Sequence, residues 1–341
     1  MKFNHIAYKK PFFKINNALN EYLIKHSISI EIPLQYEDLL RYTSLVPLAD
    51  NNGKPTLWNR ALYNVNEIDF LYASLVEIYR LLISDGSKVD YLTVDGIDYC
   101  SYGNSKPFRI KIINQINDNY DYYYIKIADA SRVYGLELEH HFSPNKMHYI
   151  YYKDTLIEEH IIGVPGDQFI EEVTSKHREI NNVRLAKEFV KFNERCFVRL
   201  LGDMRAYNFV IVITQDFDKE QYRIRAIDFD QQSYEKSLKI YLPQFYKDNL
   251  FFVQLTQNSL SLQAIEQYQQ EEKSLLRKRY FNGKNQIDQL VNVLKKDKVS
   301  TEEHVQFLRQ ELNKYHHLPT FNTCKNMGEI LELNIKTMLE L

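Results

Sequence analysis

Residues 200–230 read LLGDMRAYNFVIVITQDFDKEQYRIRAIDFD. This stretch follows a helical pattern and contains two strand-like runs, FVIVIT and YRIRAIDF, separated by a polar turn. This pattern predicts a β-hairpin. Asp203 and Asn208 precede the first strand, and Asp228 stands at the end of the second. We therefore expect the open end of the hairpin to bring Asn208 and Asp228 close together.

These three residue types suit phosphoryl transfer. A carboxylate such as that of Asp203 can accept or orient the proton of a hydroxyl group. The amide oxygen of Asn208 and the carboxylate of Asp228 are hard oxygen ligands of the kind that Mg²⁺ binds. The order and spacing of the three side chains therefore predict a magnesium-dependent phosphoryl-transfer site.

The same stretch resembles the catalytic loop of the protein-kinase-like superfamily, closest to the aminoglycoside phosphotransferase and choline kinase branch. In that branch the loop reads roughly His-Gly-Asp-x-x-x-x-Asn and is followed by Ile-Asp-Phe. The resemblance implies that Asp203 is the catalytic base, Asn208 a metal ligand and Asp228 the principal metal ligand, with ATP and Mg²⁺ as cofactors. The His of the family pattern is replaced by Leu201.

The strand pattern around residues 122–129 places two further candidates on one face. Tyr124 and Lys126 are two residues apart, and side chains at that spacing point to the same side of a strand. The resemblance implies that Lys126 orients ATP and that Tyr124 stacks on adenine. It also implies an ion-pair partner for Lys126 on the next helix, with Glu139 preferred and Glu137 second.

The stretch 155–166, TLIEEHIIGVPG, resembles the hinge of these enzymes, in which a strand ends in a glycine-containing linker. The resemblance implies that backbone groups of Glu158 and His160 bond adenine. The loop that covers the phosphates is expected near residues 95–99, although no GxGxxG motif is present there.

The order of the helical and strand patterns predicts an α+β protein. With the resemblance, it indicates a protein-kinase-like two-lobed fold with an N-terminal helical extension. The helical extension is expected over 1–88, a small antiparallel-sheet N-lobe over 89–162 and a larger helical C-lobe over 163–341.

Composition narrows the range of partners. The chain has 341 residues, with 43 Lys plus Arg against 45 Asp plus Glu, and a net charge of −2. This balance does not favour nucleic acid or an anionic membrane as a partner. The three cysteines form no CxxC pair, and no apolar run is long enough to span a membrane, so we expect a cytoplasmic protein.

Three functions are compatible with the motifs. The first is an ATP-dependent phosphotransferase that acts on a hydroxyl of a small molecule. The second is a protein kinase like the HipA-type toxin kinases, whose loop also ends in Asn-Phe, as Asn208-Phe209 does here. The third is a pseudokinase that serves as a nucleotide-binding scaffold. The acceptor is not indicated, and the helical extension is a possible docking element for a protein partner.

Overall fold

The computed structural model describes residues 10–50, 53–83, 90–102, 104–217 and 219–341. The fold is mixed α+β, with 50% of the residues in helices, 21% in strands and a large antiparallel sheet. The predicted α+β class is therefore confirmed.

The chain divides into two compact units. The first unit comprises Met1–Ala130 and Met147–His160, and the second comprises Ser131–Lys146 and Ile161–Leu341. The boundary predicted at residues 88–89 lies outside the described residues.

The first unit is built on a seven-stranded antiparallel sheet with the strand order β1-β2-β3-β4-β5-β7-β6. One long helix, α3, packs against the sheet. The elements in chain order are α1 (Asn17–Lys25), α2 (Tyr36–Leu39), β1 (Ser44–Ala49), β2 (Pro55–Leu62), α3 (Val65–Ile83), β3 (Leu92–Tyr99), β4 (Phe108–Asn114), β5 (Tyr120–Ile127), β6 (Tyr149–Tyr152) and β7 (Thr155–Glu159).

Alternation along the central strands separates a core face from a polar face. In β4, Phe108, Ile110 and Ile112 are buried, whereas Arg109 and Lys111 between them are only partly buried. The buried residues join Leu75 and other apolar residues of α3 in one hydrophobic cluster. Successive side chains of a strand point to opposite faces, so the polar face carries the charged residues of neighbouring strands. The strand-like runs at 108–116 and 122–129, separated by the polar turn NDNYD, predict a hairpin, and β4 and β5 form it.

The prediction of a mainly helical segment over 1–88 is wrong for residues 44–49 and 55–62. There the chain forms β1 and β2, and β2 pairs with β3 through Asn59 and Arg60. These two strands extend the sheet into a segment that was expected to be helical. The helical spacing of Ile68, Leu71, Leu75, Ile78 and Leu82 predicts a helix in the same segment, and α3 is present there.

The predicted phosphate-covering loop at residues 95–99 is also wrong. These residues lie inside β3 and pair with β4, with a register shift between Val94 and Gly96. A Cβ at Gly96 would lie 2.4 Å from the guanidinium of Arg60, so a side chain there would displace the end of that arginine. The connection between β3 and β4 spans residues 100–107 instead.

The second unit is mostly helical and contains a three-stranded antiparallel sheet in the order β10-β9-β8. Its elements are α4 (Ala130–Phe142, whose first residue belongs to the first unit), β8 (Val164–Pro165), α5 (Gly166–Ser175), α6 (Asn182–Val198), β9 (Phe209–Asp216), β10 (Lys219–Ala226), α7 (Leu250–Ser259), α8 (Leu262–Leu294), α9 (Glu302–His316) and α10 (Met327–Leu339).

Local sequence signals explain several of these boundaries. The side chain of Asn181 accepts a hydrogen bond from the backbone N–H of Arg184 at the start of α6. Thr301 caps α9 in the same way, through the N–H of His304. Short polar side chains are favoured at this position because they satisfy N–H groups that the helix leaves unpaired. The predicted hairpin is present as β9 and β10.

No helix within the described ranges is both long and apolar enough to cross a membrane.

A core substitution in α3 should destabilise the first unit. Leu75 is 0% exposed and Phe70 on the same helix is 67% exposed. We expect Leu75→Ala to lower the free energy of unfolding by about 2–5 kcal/mol, because it leaves a cavity in the core. Phe70→Ala is the matched control and should change the free energy of unfolding little. Trp58, the only tryptophan of the chain, lies in β2, so its fluorescence during urea unfolding reports on this unit. Equal effects of the two substitutions would contradict the packing of α3 described above.

Candidate active site

The loop between α6 and β9 holds Asp203 in an unusual backbone conformation. Asp203 has a φ of 57°, in the left-handed region that residues other than glycine rarely adopt. The side-chain amide of Asn208 donates to the backbone oxygen of Asp203 at 2.7 Å, and the N–H of Arg205 donates to the same oxygen at 2.8 Å. These two hydrogen bonds offset the free-energy cost of the left-handed conformation. They also fix the backbone position from which the Asp203 side chain extends.

The start of the loop is bonded to the segment that follows Asp228. The N–H of Gly202 donates to the oxygen of Gln231 at 3.2 Å, and the N–H of Ser233 donates to the oxygen of Leu200 at 2.9 Å. A Cβ at position 202 would lie 3.1 Å from the Gln231 oxygen, which is tighter than an ordinary contact, so a side chain there would require the two segments to shift by a few tenths of an ångström. The two segments are therefore held side by side through their backbones.

The open end of the hairpin joins Asn208 to the residue before Asp228, as the sequence predicts. Phe209 pairs with Ala226 at the last step of the β9–β10 ladder. One residue further on, the N–H of Ile227 donates to the backbone oxygen of Asn208 at 3.0 Å. Asp203, Asn208 and Asp228 are thus brought into one region of the second unit.

Arg132 of α4 binds two carboxylates of this region, and the sequence reasoning missed it. Its Nη1 lies 3.0 Å from Asp228 Oδ1 and 2.9 Å from Asp230 Oδ1, and its Nη2 donates to the backbone oxygen of Ile227 at 3.1 Å. The side chain of Arg132 is only 3% exposed. A buried cation is stable only when it is paired and hydrogen-bonded, so these contacts fix the positions of both carboxylates.

Asn208 and Asp228 are the residues of this region that could contribute oxygen ligands to a magnesium ion. Among the residues that the structure describes, no three His, Cys, Asp or Glu side chains are placed to bind a metal by themselves. Mg²⁺ in nucleotide-binding proteins is usually held by one or two protein oxygen ligands together with phosphate oxygens and water. Asn208 is buried, and the carboxylate of Asp228 is 30% exposed, so the latter can be reached by such an ion.

Two residues, one from the loop and one from a distant segment, orient Asp203. Arg205 Nε donates to Asp203 Oδ1 at 2.8 Å, and its Nη1 lies 3.0 Å from Asp248 Oδ2. The N–H of Asp203 donates to the hydroxyl oxygen of Tyr246 at 3.0 Å. Arg205 stands two residues after Asp203 in the sequence, which is the only signal that could have revealed its role. The other partners come from a segment about 40 residues away and carry no local signal.

Glu139 and Lys126 have partners other than those predicted. Glu139 pairs with Arg199, and both side chains are buried in the second unit. Lys126 Nζ lies 2.6 Å from Glu158 Oε2 in the first unit. The reason is register. Tyr124 of β5 stands opposite Glu158 of β7, so the side chain of Glu158 shares a face with those of Tyr124 and Lys126.

Glu158 is therefore a strand residue within the stretch 155–166, in which the sequence predicts a strand that ends in a glycine-containing linker. It lies in β7 between β5 and β6, and pairs with Tyr124 on one side and Tyr149 on the other. Its backbone belongs to the sheet, and its buried carboxylate holds Lys126. Of the two residues predicted to bond adenine through the backbone, only His160 lies beyond the end of the strand.

Tyr124 lies in an aromatic group on the polar face of the sheet. Its hydroxyl oxygen is 3.1 Å from His160 Nδ1, and its ring centre is 6.2 Å from that of Trp58. Arg109 stacks over Trp58, with 4.5 Å between the guanidinium carbon and the ring centre. Burial raises the pKa of Tyr124 to about 12, so its hydroxyl stays protonated at neutral pH. Tyr124 is thus positioned by neighbours that the sequence reasoning did not identify.

The full sequence matches no protein-family model and no curated protein. The candidate site is therefore interpreted from its own contacts and from the motif at 200–230.

The environment of His160 makes the first unit sensitive to acid. Burial lowers the pKa of His160 below its ordinary value of 6.5. The unfolded chain then binds more protons than the folded one between these two values, so stability should fall as the pH drops below 6.5. His160→Gln should reduce this pH dependence in urea unfolding followed by Trp58 fluorescence. An NMR titration midpoint for the His160 ring at or above 6.5 would rule the explanation out.

Proposed function

We propose that the protein is an ATP- and Mg²⁺-dependent phosphotransferase that acts on a hydroxyl group of a small molecule. The observation that carries the proposal is the arrangement of the second unit. There the loop with Asp203 is bonded to the segment after Asp228, and Asn208 is bonded to the residue before it. The antiparallel sheet of the first unit and the helices of the second also accord with a protein-kinase-like two-lobed fold.

Asp203 acts as the base in the proposed reaction. Its carboxylate is held through Oδ1 by Arg205, and the side chain remains 10% exposed. It can therefore receive the proton of an acceptor hydroxyl as the new bond to phosphorus forms. The left-handed backbone at Asp203 serves this role by directing the carboxylate, and strained residues of this kind are concentrated at functional sites.

Asn208 and Asp228 are the residues that would hold Mg²⁺. When bound, the ion neutralises charge on the phosphate oxygens of the nucleotide. Arg132 contributes by keeping Asp228 and Asp230 in place, because it contacts an oxygen of each carboxylate. The pair of carboxylates and one guanidinium carry a net negative charge, which favours a cation.

Lys126 and Tyr124 are the nucleotide-binding residues of the first unit. A lysine that bonds phosphate oxygens is usually positioned by a carboxylate, and here Glu158 fills that place. The ring of Tyr124 offers a stacking surface for adenine, beside Trp58. His160 is the residue that leaves the sheet next to them and remains the candidate for backbone bonds to the base.

One contact favours a second candidate function, a nucleotide-binding protein that does not transfer phosphate. Arg132 places a positive charge on Asp228, the proposed principal metal ligand. If this charge replaced the ion, nucleotide binding would not depend on Mg²⁺. The two functions therefore differ in the metal dependence of binding and in turnover.

Two conservative substitutions should separate the roles of the carboxylates. Asp228→Asn is expected to abolish both phosphoryl transfer and the Mg²⁺-dependent part of ATP affinity. Asp203→Asn is expected to abolish transfer while leaving ATP affinity nearly unchanged, because its role is toward the acceptor. Transfer is measured with labelled ATP against amino sugars, aminoalcohols, nucleosides and proteins, and affinity by calorimetry.

The results of this screen also decide between the functions. Full transfer by Asp203→Asn would show that another residue is the base. ATP binding without Mg²⁺ dependence and without transfer would identify the nucleotide-binding scaffold. Label on proteins alone, including the chain itself, would identify a protein kinase.

Lys126→Ala should weaken nucleotide binding. We expect the rise in thermal midpoint with millimolar Mg²⁺·ATP to be reduced severalfold, because the buried cation for the phosphates is lost and Glu158 is left unpaired. Lys111→Ala is the matched control. Lys111 lies on the adjacent strand and pairs with Asp95 at 2.7 Å in a more exposed position. An unchanged ATP response in Lys126→Ala would remove Lys126 from the nucleotide site.

A further inference from the structure

A cavity of about 290 Å³ lies in the second unit, between one face of α6 and strand β10. We call it the α6–β10 pocket. The helix contributes side chains at spacings of three and four residues, which place them on one face. The residues that line the pocket and matter for its chemistry are Arg184, Lys187, Glu188, Lys191, Tyr222 and Arg223.

Two arginines of the pocket carry charges that no carboxylate neutralises. Arg184 Nη1 donates to the backbone oxygen of Glu220 at 3.1 Å, and Arg223 Nη1 donates to the side-chain oxygen of Asn145 at 3.2 Å. Both acceptors are uncharged. Within the described part of the chain, no carboxylate lies at ion-pair distance from Arg184 or Arg223, so both positive charges face the pocket and solvent.

The two lysines are only partly neutralised. Lys187 and Lys191 share one carboxylate, that of Glu271, at 3.4 and 3.1 Å. Lys191 also lies 3.9 Å from Glu272, which itself pairs with Arg195. The pocket therefore has four cationic side chains, and only two carboxylates of the described residues, Glu271 and Glu272, lie at ion-pair distance from any of them.

The single carboxylate in the pocket wall is used elsewhere. Glu188 Oε1 lies 2.6 Å from Arg195 Nη2 and accepts a hydrogen bond from the backbone N–H of Ile224 at 3.1 Å. The carboxylate of Glu188 thus pairs with the buried Arg195 and accepts the N–H of Ile224 at the edge of β10. It therefore contributes little negative charge to the pocket.

The pocket also has an uncharged hydrogen-bond donor. β10 is the edge strand of its sheet, and the oxygen of Glu220 and the N–H of Ile224 point toward α6. Groups two residues apart on a strand point the same way, so the N–H of Tyr222 between them faces the pocket. Backbone N–H groups and arginines together are typical ligands of phosphate.

We propose that the α6–β10 pocket binds an anion that carries several phosphate groups. The hydrogen bond of Arg184 to the edge of β10 gives that side chain a structural role. It does not explain why Lys187, Lys191 and Arg223 line the same cavity. Arg184 and Lys191 are seven residues apart, about 10 Å along the helix. That span exceeds a single phosphate and suits a chain or ring of them, either as a free polyphosphorylated compound or as the headgroup of a polyphosphoinositide.

Binding should be measured by calorimetry with inorganic tripolyphosphate at low salt. We expect Arg184→Gln with Arg223→Gln to weaken the binding at least tenfold, and added salt to weaken it in the wild type. The matched control is Arg277→Gln with Lys278→Gln, which removes the same charge from exposed positions of α8 and should leave affinity within twofold. Arg223→Gln alone, which loses only the contact to Asn145, serves if the double variant does not fold.

Vesicles with and without a polyphosphoinositide distinguish the source of the phosphates. Binding to these vesicles together with weak binding of tripolyphosphate assigns the pocket to the lipid headgroup, and the reverse assigns it to a free compound. Tripolyphosphate held elsewhere, including at the proposed nucleotide site, would be bound equally by the wild type and the double variant. Such equality, or binding of neither probe by the wild type, overturns the proposal. None of these results depends on whether the chain transfers phosphate.

Discussion

The candidate site depends on hydrogen bonds between two short backbone segments, residues 200–202 and 231–233. They hold the loop that carries Asp203 against the chain that has just passed Asp228, and the bond from Ile227 to Asn208 fixes the other side of the same region. Backbone bonds of this kind leave little freedom in the positions of three polar side chains. The absence of a Cβ at Gly202 lets the segments approach without a tight contact to the Gln231 oxygen.

Buried charge is the second constraint, because each buried guanidinium of the second unit requires carboxylates. Arg132 pairs with Asp228 and Asp230, and Arg199 pairs with Glu139. Arg195 pairs with Glu188 and Glu272. Removing water from such charges is costly unless the partners are in place, so these pairs select one arrangement of α4, α6 and the chain after β10. The carboxylates that the motif reading assigned to chemistry are thus also structural partners of arginines.

Local pattern was enough to predict α3, the hairpins and the approach of Asn208 to the chain before Asp228. It was not enough for β1 and β2, because few of their residues are buried and their apolar residues do not alternate clearly between two faces. Nor could it predict that Lys126 pairs with Glu158, since that contact follows from the register of β5 against β7. Arg132 was missed for a similar reason. A lone arginine in an otherwise apolar and acidic helix signals a buried partner, but the partner lies about 100 residues away.

The net charge of −2 is an average, and it conceals opposite environments within one unit. Arg132 is surrounded by carboxylates, whereas Arg184 and Arg223 meet only uncharged oxygens. A bulk charge near zero argues against a uniformly basic surface, but it does not limit the potential inside a single cavity, which depends on the few charges within a Debye length. Composition therefore constrains the extended partners of this chain more strongly than its small anionic ligands. The cations of the pocket lie on α6 and β10, the elements that precede Asp203 and Asp228 in the chain. The fold, and not the composition, brings these cations together.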